Sequence, residues 1–94
     1  MRLDRMQKAA LDRAIENVNG EVYLFGSRVD DKKKGGDLDI LIFSEEDSYK
    51  LSQEISIKFF MGCEEKIDVK VLNPKKLTPE EQAFLKVITM ERIK

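Results

Sequence analysis

Residues 37–43 read D-L-D-I-L-I-F, and this short segment constrains the fold more than any other. Its apolar residues are aliphatic and aromatic, and it reads as a β-strand. In a strand, successive side chains alternate between faces, so Asp37 and Asp39 share one face while Leu38 and Ile40 point into the opposite layer. A face buried in an apolar core does not carry two carboxylates. One side of this strand therefore packs on a core, and the other is given to something that tolerates negative charge.

The neighbouring segments supply the rest of an α+β domain. Leu3, Met6, Ala10, Leu11, Ala14, Ile15 and Val18 recur at steps of three and four, the apolar face of a first helix, and Asn19-Gly20 is expected to stop it with glycine at the left-handed C′ position. Residues 21–25 (E-V-Y-L-F) read as a buried strand closed by Gly26. After the 37–43 strand, Ser44-Glu45-Glu46-Asp47 looks like a helix start with acids in its first turn, and that helix is expected to run to about Met61 and close at Gly62. Residues 66–72 (K-I-D-V-K-V-L) alternate with period two, setting Ile67, Val69 and Val71 on one face and Asp68, Lys70 and Leu72 on the other. Thr78-Pro79-Glu80-Glu81 combines an N-cap, proline at the first helical position and glutamate at N3, so a last helix begins there with Phe84, Leu85, Val87 and Ile88 on its apolar side. The expected order is α-β-β-α-β-α, in one domain over residues 1–94.

Composition removes whole classes of chemistry. The 94 residues include no histidine and one cysteine, which excludes imidazole-based zinc sites, Ser-His triads, Cys-His dyads and an intrachain disulfide. Cys63 reads as a small buried apolar residue near a helix end, and the usage fits a reducing cytoplasm. Lys and Arg number 17 against 18 for Asp and Glu, so there is no overall basic field and general nucleic-acid binding is not expected. The longest apolar runs, Val22 to Phe25 and Ile40 to Phe43, fall far short of the ~20 residues a membrane helix needs.

What remains is carboxylate, hydroxyl, cationic and backbone chemistry, and it concentrates at two places. If the 66–72 strand pairs with the 37–43 strand, Asp68 joins Asp37 and Asp39, and like charges about 4 Å apart repel by roughly 4 kcal/mol at an effective dielectric of 20. Such a cluster calls for a cation, and oxygen-only ligands select a hard ion such as Mg²⁺. Upstream, Gly26 lets a ligand approach the backbone, while Ser27 and the following amides can hold phosphate oxygens. Arg28 adds a planar cationic fork suited to the same phosphates.

Taken together, F-G-S-R at residues 25–28, G-D-L-D-I-L-I at 36–42 and K-I-D-V-K-V at 66–71 resemble the nucleotidyltransferase superfamily typified by DNA polymerase beta, and specifically its minimal stand-alone MNT-type members. The resemblance implies a mixed three-stranded, or slightly larger, sheet with flanking helices. It implies that Gly26 and Ser27 grip a nucleoside triphosphate, that Asp37 and Asp39 bind two magnesium ions, and that Asp68 completes the metal site and helps activate the acceptor. It further implies an enzyme that moves a nucleoside monophosphate, AMP from ATP in the first instance, onto a hydroxyl. Minimal proteins of this type are frequently paired with a small helical HEPN-domain protein in toxin-antitoxin modules and can AMPylate a tyrosine of that partner, so a hetero-oligomer is expected. The sequence departs from the family in two respects: a mixed charge run, residues 28–34, stands where many relatives carry a small glycine-containing turn, and no counterpart of the acceptor-binding second domain of larger members is expected in these 94 residues.

Other readings stand beside these. Asp68 reads alternatively as a surface carboxylate paired with Lys66 or Lys70, and Arg28 as one arm of a structural ion pair. Lys70 either contacts phosphates or offsets carboxylate charge, and Lys32, Lys33 and Lys34 read as a solvated loop or as a phosphate or RNA contact. Ile57, Phe60 and Met61 lie off the Leu51, Ile55, Phe59 stripe of their helix, so a second core layer or a partner is expected to cover them. At the level of function the alternatives are a catalytically silent module that docks on and masks its partner, and a transferase acting on small molecules or RNA.

Overall fold

The computed structural model describes residues 3–26 and 38–94. The elements are α1 (Arg5–Ile15), β1 (Glu21–Phe25), β2 (Leu38–Phe43), α2 (Ser48–Cys63), β3 (Ile67–Leu72), α3 (Pro79–Val87) and β4 (Met90–Arg92). This is the expected α+β order with one strand added at its end. The sheet runs β3-β2-β1-β4. β2 and β3 are parallel, joined by the α2 crossover, while β1 is antiparallel to both β2 and β4.

Helix α1 starts where Asp4 caps it: its carboxylate accepts from Gln7 N at 2.7 Å, and Gln7 Oε1 accepts from Asp4 N at 3.1 Å, a reciprocal capping box. Gln7 is buried and its amide also donates to Glu65 at 2.9 Å, so this polar side chain is satisfied where it lies. Met6, expected on the apolar face, is 62% exposed instead. The helix ends at Ile15 with Glu16 as C-cap, so Gly20 is not its stop signal. Gly20 serves the sheet: at φ +141° it crosses so close to β2 that a Cβ would lie 2.0 Å from the Phe43 carbonyl oxygen.

Helix α2 is capped by Asp47, whose side chain accepts from Lys50 N, so the acids Glu45 and Glu46 precede the helix instead of occupying its first turn. Ser44 is buried and its hydroxyl accepts from Glu46 N at 3.1 Å, a local turn leading into the cap. The helix continues through Gly62 to Cys63 and ends in a left-handed Glu64 at φ 57°. Gly62 is a contact point: a Cβ there would meet the Ala10 Cβ at 2.7 Å, which is how closely α1 and α2 pack.

The core lies between these two helices and one face of the sheet. Val22 and Leu24, then Leu38, Ile40 and Ile42, then Ile67 pack against Leu11, Ala14, Leu51, Ile55 and Phe59. Phe59 is fully buried, and burying such a side chain is worth about 1.5–3 kcal/mol. Helix α3 begins at Thr78 with the expected capping box to Glu81 and proline in its first turn. None of its residues is fully buried, and Val87, expected on its apolar side, is 81% exposed.

Candidate active site

Strand alternation gives the sheet a second face. Val22, Leu24, Leu38, Ile40, Ile42 and Ile67 belong to the core, which leaves Phe25, Asp39, Asp68 and Lys70 on the side away from α1 and α2. Here Asp39 and Asp68 are direct partners in the parallel register of β2 and β3, and Asp39 faces Phe25 across the antiparallel register of β1 and β2. The strand pairing on which Asp68's position depends is therefore present, with neighbouring strands about 4.8 Å apart. Asp39 is half-buried and Asp68 is exposed.

Gly26 stands at the corner of this arrangement. Its φ of +80° turns the chain out of β1, and a Cβ at this position would lie 2.8 Å from Asp39 Oδ2. The Asp39 carboxylate thus rests against the backbone at the end of β1, which a side chain at residue 26 would obstruct. Ser27, Arg28 and Asp37, with Lys32, Lys33 and Lys34, lie outside the described residues. Among the described residues no group of three or more His, Cys, Asp or Glu comes together to hold a metal. Asp39 and Asp68, adjacent in the strand register on one sheet face, are the hard oxygen donors that could hold a divalent cation here.

Helix α3 flanks this face through one residue the sequence reading took only as core. Phe84 packs edge-to-face on Phe25 with centroids 5.7 Å apart, and the Lys70 ammonium lies 5.2 Å from the Phe84 ring centroid. Strand parity carried the missed signal, because Phe25 shares a face with Asp39 and needs an apolar neighbour there. Lys70 is thereby given a local partner, whatever else it contacts. At the outer edge of β3 a groove of about 360 Å³, lined by Ile57, Phe60, Met61, Lys66 and Ile67, reaches Asp68.

The remaining reactive groups lie elsewhere. Cys63 ends α2 as a buried thiol whose pKa is pushed up by that burial, as expected of a small apolar residue. The Tyr23 phenol donates to Glu21, which holds its pKa above the ordinary value, and its ring packs edge-to-face on Phe43. No helix among the described residues is long and apolar enough to cross a membrane.

The arrangement agrees with comparison to known families, in which a family described as nucleotidyltransferase domain matches residues 5–94. The chain belongs to this family. No match was found among curated proteins. As a nucleotidyltransferase, the domain uses a nucleoside triphosphate and transfers its nucleoside monophosphate moiety. Its mixed sheet, with β1, β2 and β3 side by side, is the framework that brings Gly26, Asp39 and Asp68 to one locality.

Proposed function

We propose that this nucleotidyltransferase is Mg²⁺-dependent and transfers AMP from ATP to a hydroxyl on a partner protein, as the antitoxin of a HEPN/MNT pair. The observation that carries the catalytic part of this reading is the lateral alignment of Asp39 with Asp68 beside Gly26. Asp39 and Asp68, with Asp37 added by the family resemblance, would hold the magnesium, and bound divalent ions supply charge neutralisation at attacking and leaving oxygens. Gly26 and Ser27 offer backbone and hydroxyl groups to the triphosphate, and Arg28 orients its outer oxygens. Asp68, exposed at the edge of the site, accepts the proton of the acceptor hydroxyl. The acceptor oxygen bonds to the α-phosphorus as the bond to the bridging oxygen breaks and pyrophosphate leaves. No step needs histidine, and the chain has none. The partner protein and the toxin-antitoxin setting follow from resemblance to the minimal MNT-type proteins.

The test is transfer of α-phosphate label from each of the four nucleoside triphosphates to macromolecules of a source-organism lysate, with and without Mg²⁺. A labelled HEPN-type protein is the expected product, with ATP preferred and no label without Mg²⁺. Asp39→Asn, confirmed as folded by circular dichroism, is expected to lose roughly 100-fold or more of the transfer. Undiminished transfer in this variant would refute the assignment. Tight association with a HEPN-type protein and no label from any nucleotide would leave the masking module as the function.

A further inference from the structure

Among the described residues β3 is the outermost strand of the sheet, with β2 on one side and no strand on the other. It runs six residues as I-D-V-K-V-L, with no proline or glycine to blunt it. The opposite edge is the three-residue β4. Long edges without proline or glycine are templates for pairing, and the charges that guard this one, Asp68 and Lys70, restrict it to a partner of matching charge pattern. Two hollows of about 360 and 350 Å³ follow this edge in succession, sharing Ser56, Ile57, Ile67 and Asp68. Above it, on the flank of α2, Ile57, Phe60 and Met61 are 58%, 51% and 79% exposed. These are the residues for which the sequence demanded a cover, and no second core layer lies over them among the described residues.

We infer that the cover is a second copy of this chain, joined edge to edge along β3 in an antiparallel pair. The argument is the charge pattern of the strand itself. A two-fold axis through Val69 sets Asp68 of each copy opposite Lys70 of the other, and Ile67 opposite Val71. Cross-strand neighbours of opposite charge are favourable, and both oppositely charged pairs form at once because the axis repeats them. This register keeps the pairing inside β3. A parallel in-register pair would instead set Asp68 beside Asp68. Because the axis stands perpendicular to the sheet, both copies of α2 lie on the same side, and their exposed Ile57, Phe60 and Met61 meet across it. Backbone pairing alone makes a weak interface, and the apolar stripe supplies the buried centre it needs. The join also brings Lys70 of the second copy next to Asp68, so each candidate site borrows a cation from its neighbour. The inference does not depend on which nucleotide or acceptor the site uses.

Sedimentation equilibrium of the 94-residue chain tests it, the expected mass being twice 10.9 kDa. Met61→Glu, at an exposed helical position, is expected to give a folded monomer. Lys70→Asp opposes like charges across the axis and is expected to weaken association about tenfold or more. Adding Asp68→Lys to Lys70→Asp restores the complementary pattern and with it the dimer, a rescue that damage to the fold would not produce. Raising the salt concentration weakens the wild-type dimer. A wild-type chain that stays monomeric overturns the inference. So does a dimer indifferent to both Met61→Glu and Lys70→Asp, or a monomer whose Met61 face is protected only when a different protein is added.

Discussion

A carboxylate can rest against the backbone only where the residue beneath it has no side chain. Gly26 meets that condition for Asp39, and its φ of +80° adds a second reason for glycine. In Gly26→Ala, the left-handed conformation costs about 1–2 kcal/mol, and the new methyl displaces the Asp39 carboxylate. The expected result is a melting temperature lower by roughly 4–16 °C together with a loss of nucleotide transfer at temperatures where the variant is still folded. Gly26→Asn, which tolerates positive φ better, regains stability without regaining transfer. Full transfer by folded Gly26→Ala would show that the close seating of Asp39 is irrelevant to the reaction. At this scale the strand faces were legible: the alternation of D-L-D-I-L-I-F and K-I-D-V-K-V-L sets Asp39 and Asp68 each opposite the apolar side of its own strand, while their adjacency depended on the β2–β3 pairing. Apolar periodicity was less informative at the rim of a helix. Met6 and Gln7 are adjacent, and the capping box with the Glu65 contact decides that the glutamine is the one buried.

Helices and strands were recognisable as kinds, while their ends depended on contacts between elements. Thr78 with Glu81 announced α3 because capping is local. Ser44, read as the start of this helix, is withdrawn from that role because its amide-side neighbour Phe43 still belongs to the sheet and its own amide donates to Leu72 O at 2.9 Å, and Asp47 caps the helix instead. Gly62 looks like a stop and is instead the place where two helices touch. Alanine there gains helix propensity worth about 1 kcal/mol, against an overpacking cost of roughly 1–3 kcal/mol at an Ala10 methyl 2.7 Å from the new Cβ. Gly62→Ala is therefore expected to destabilise the fold, and in an Ala10→Gly background the same change should become neutral or stabilising. Urea denaturation of the four proteins in this cycle measures the coupling, and additive effects would contradict direct α1–α2 contact at this point. Strand β4 escaped notice because three exposed residues, M-E-R, carry no alternation of their own. Its existence follows from the unsatisfied edge of β1.

Across the whole molecule, the last residues return to the first helix. Val22 N donates to Lys94 O at 3.0 Å and Ile93 N to Val22 O at 2.8 Å, extending the β1–β4 side of the sheet. The Lys94 ammonium donates to Ile15 O, Glu16 O and Val18 O at 2.7, 3.0 and 2.8 Å, gathering carbonyls at and just beyond the end of α1, of which Ile15 O also accepts from Val18 N. Lys94→Met keeps the apolar stem and removes this cap, and is expected to cost about 1–2 kcal/mol in thermal unfolding; Lys94→Arg should recover part of it. An unchanged melting temperature in Lys94→Met would show that water serves those carbonyls equally well. Nothing in the sequence near residue 94 signals this contact, since a terminal lysine after an amphipathic helix reads as solvated.

That long-range cap also sets an order of events in synthesis. Val18 and Lys94 stand 76 positions apart: the Asp4 cap that opens α1 is local, whereas the ammonium that caps its other end is synthesised 76 residues after Val18. On the ribosome the helix can start against its own Asp4 cap, but its final turn frays until Lys94 has cleared the exit tunnel. Through that interval a nascent chain of this protein displays β1 with one flank bare, and chaperones have their opening there.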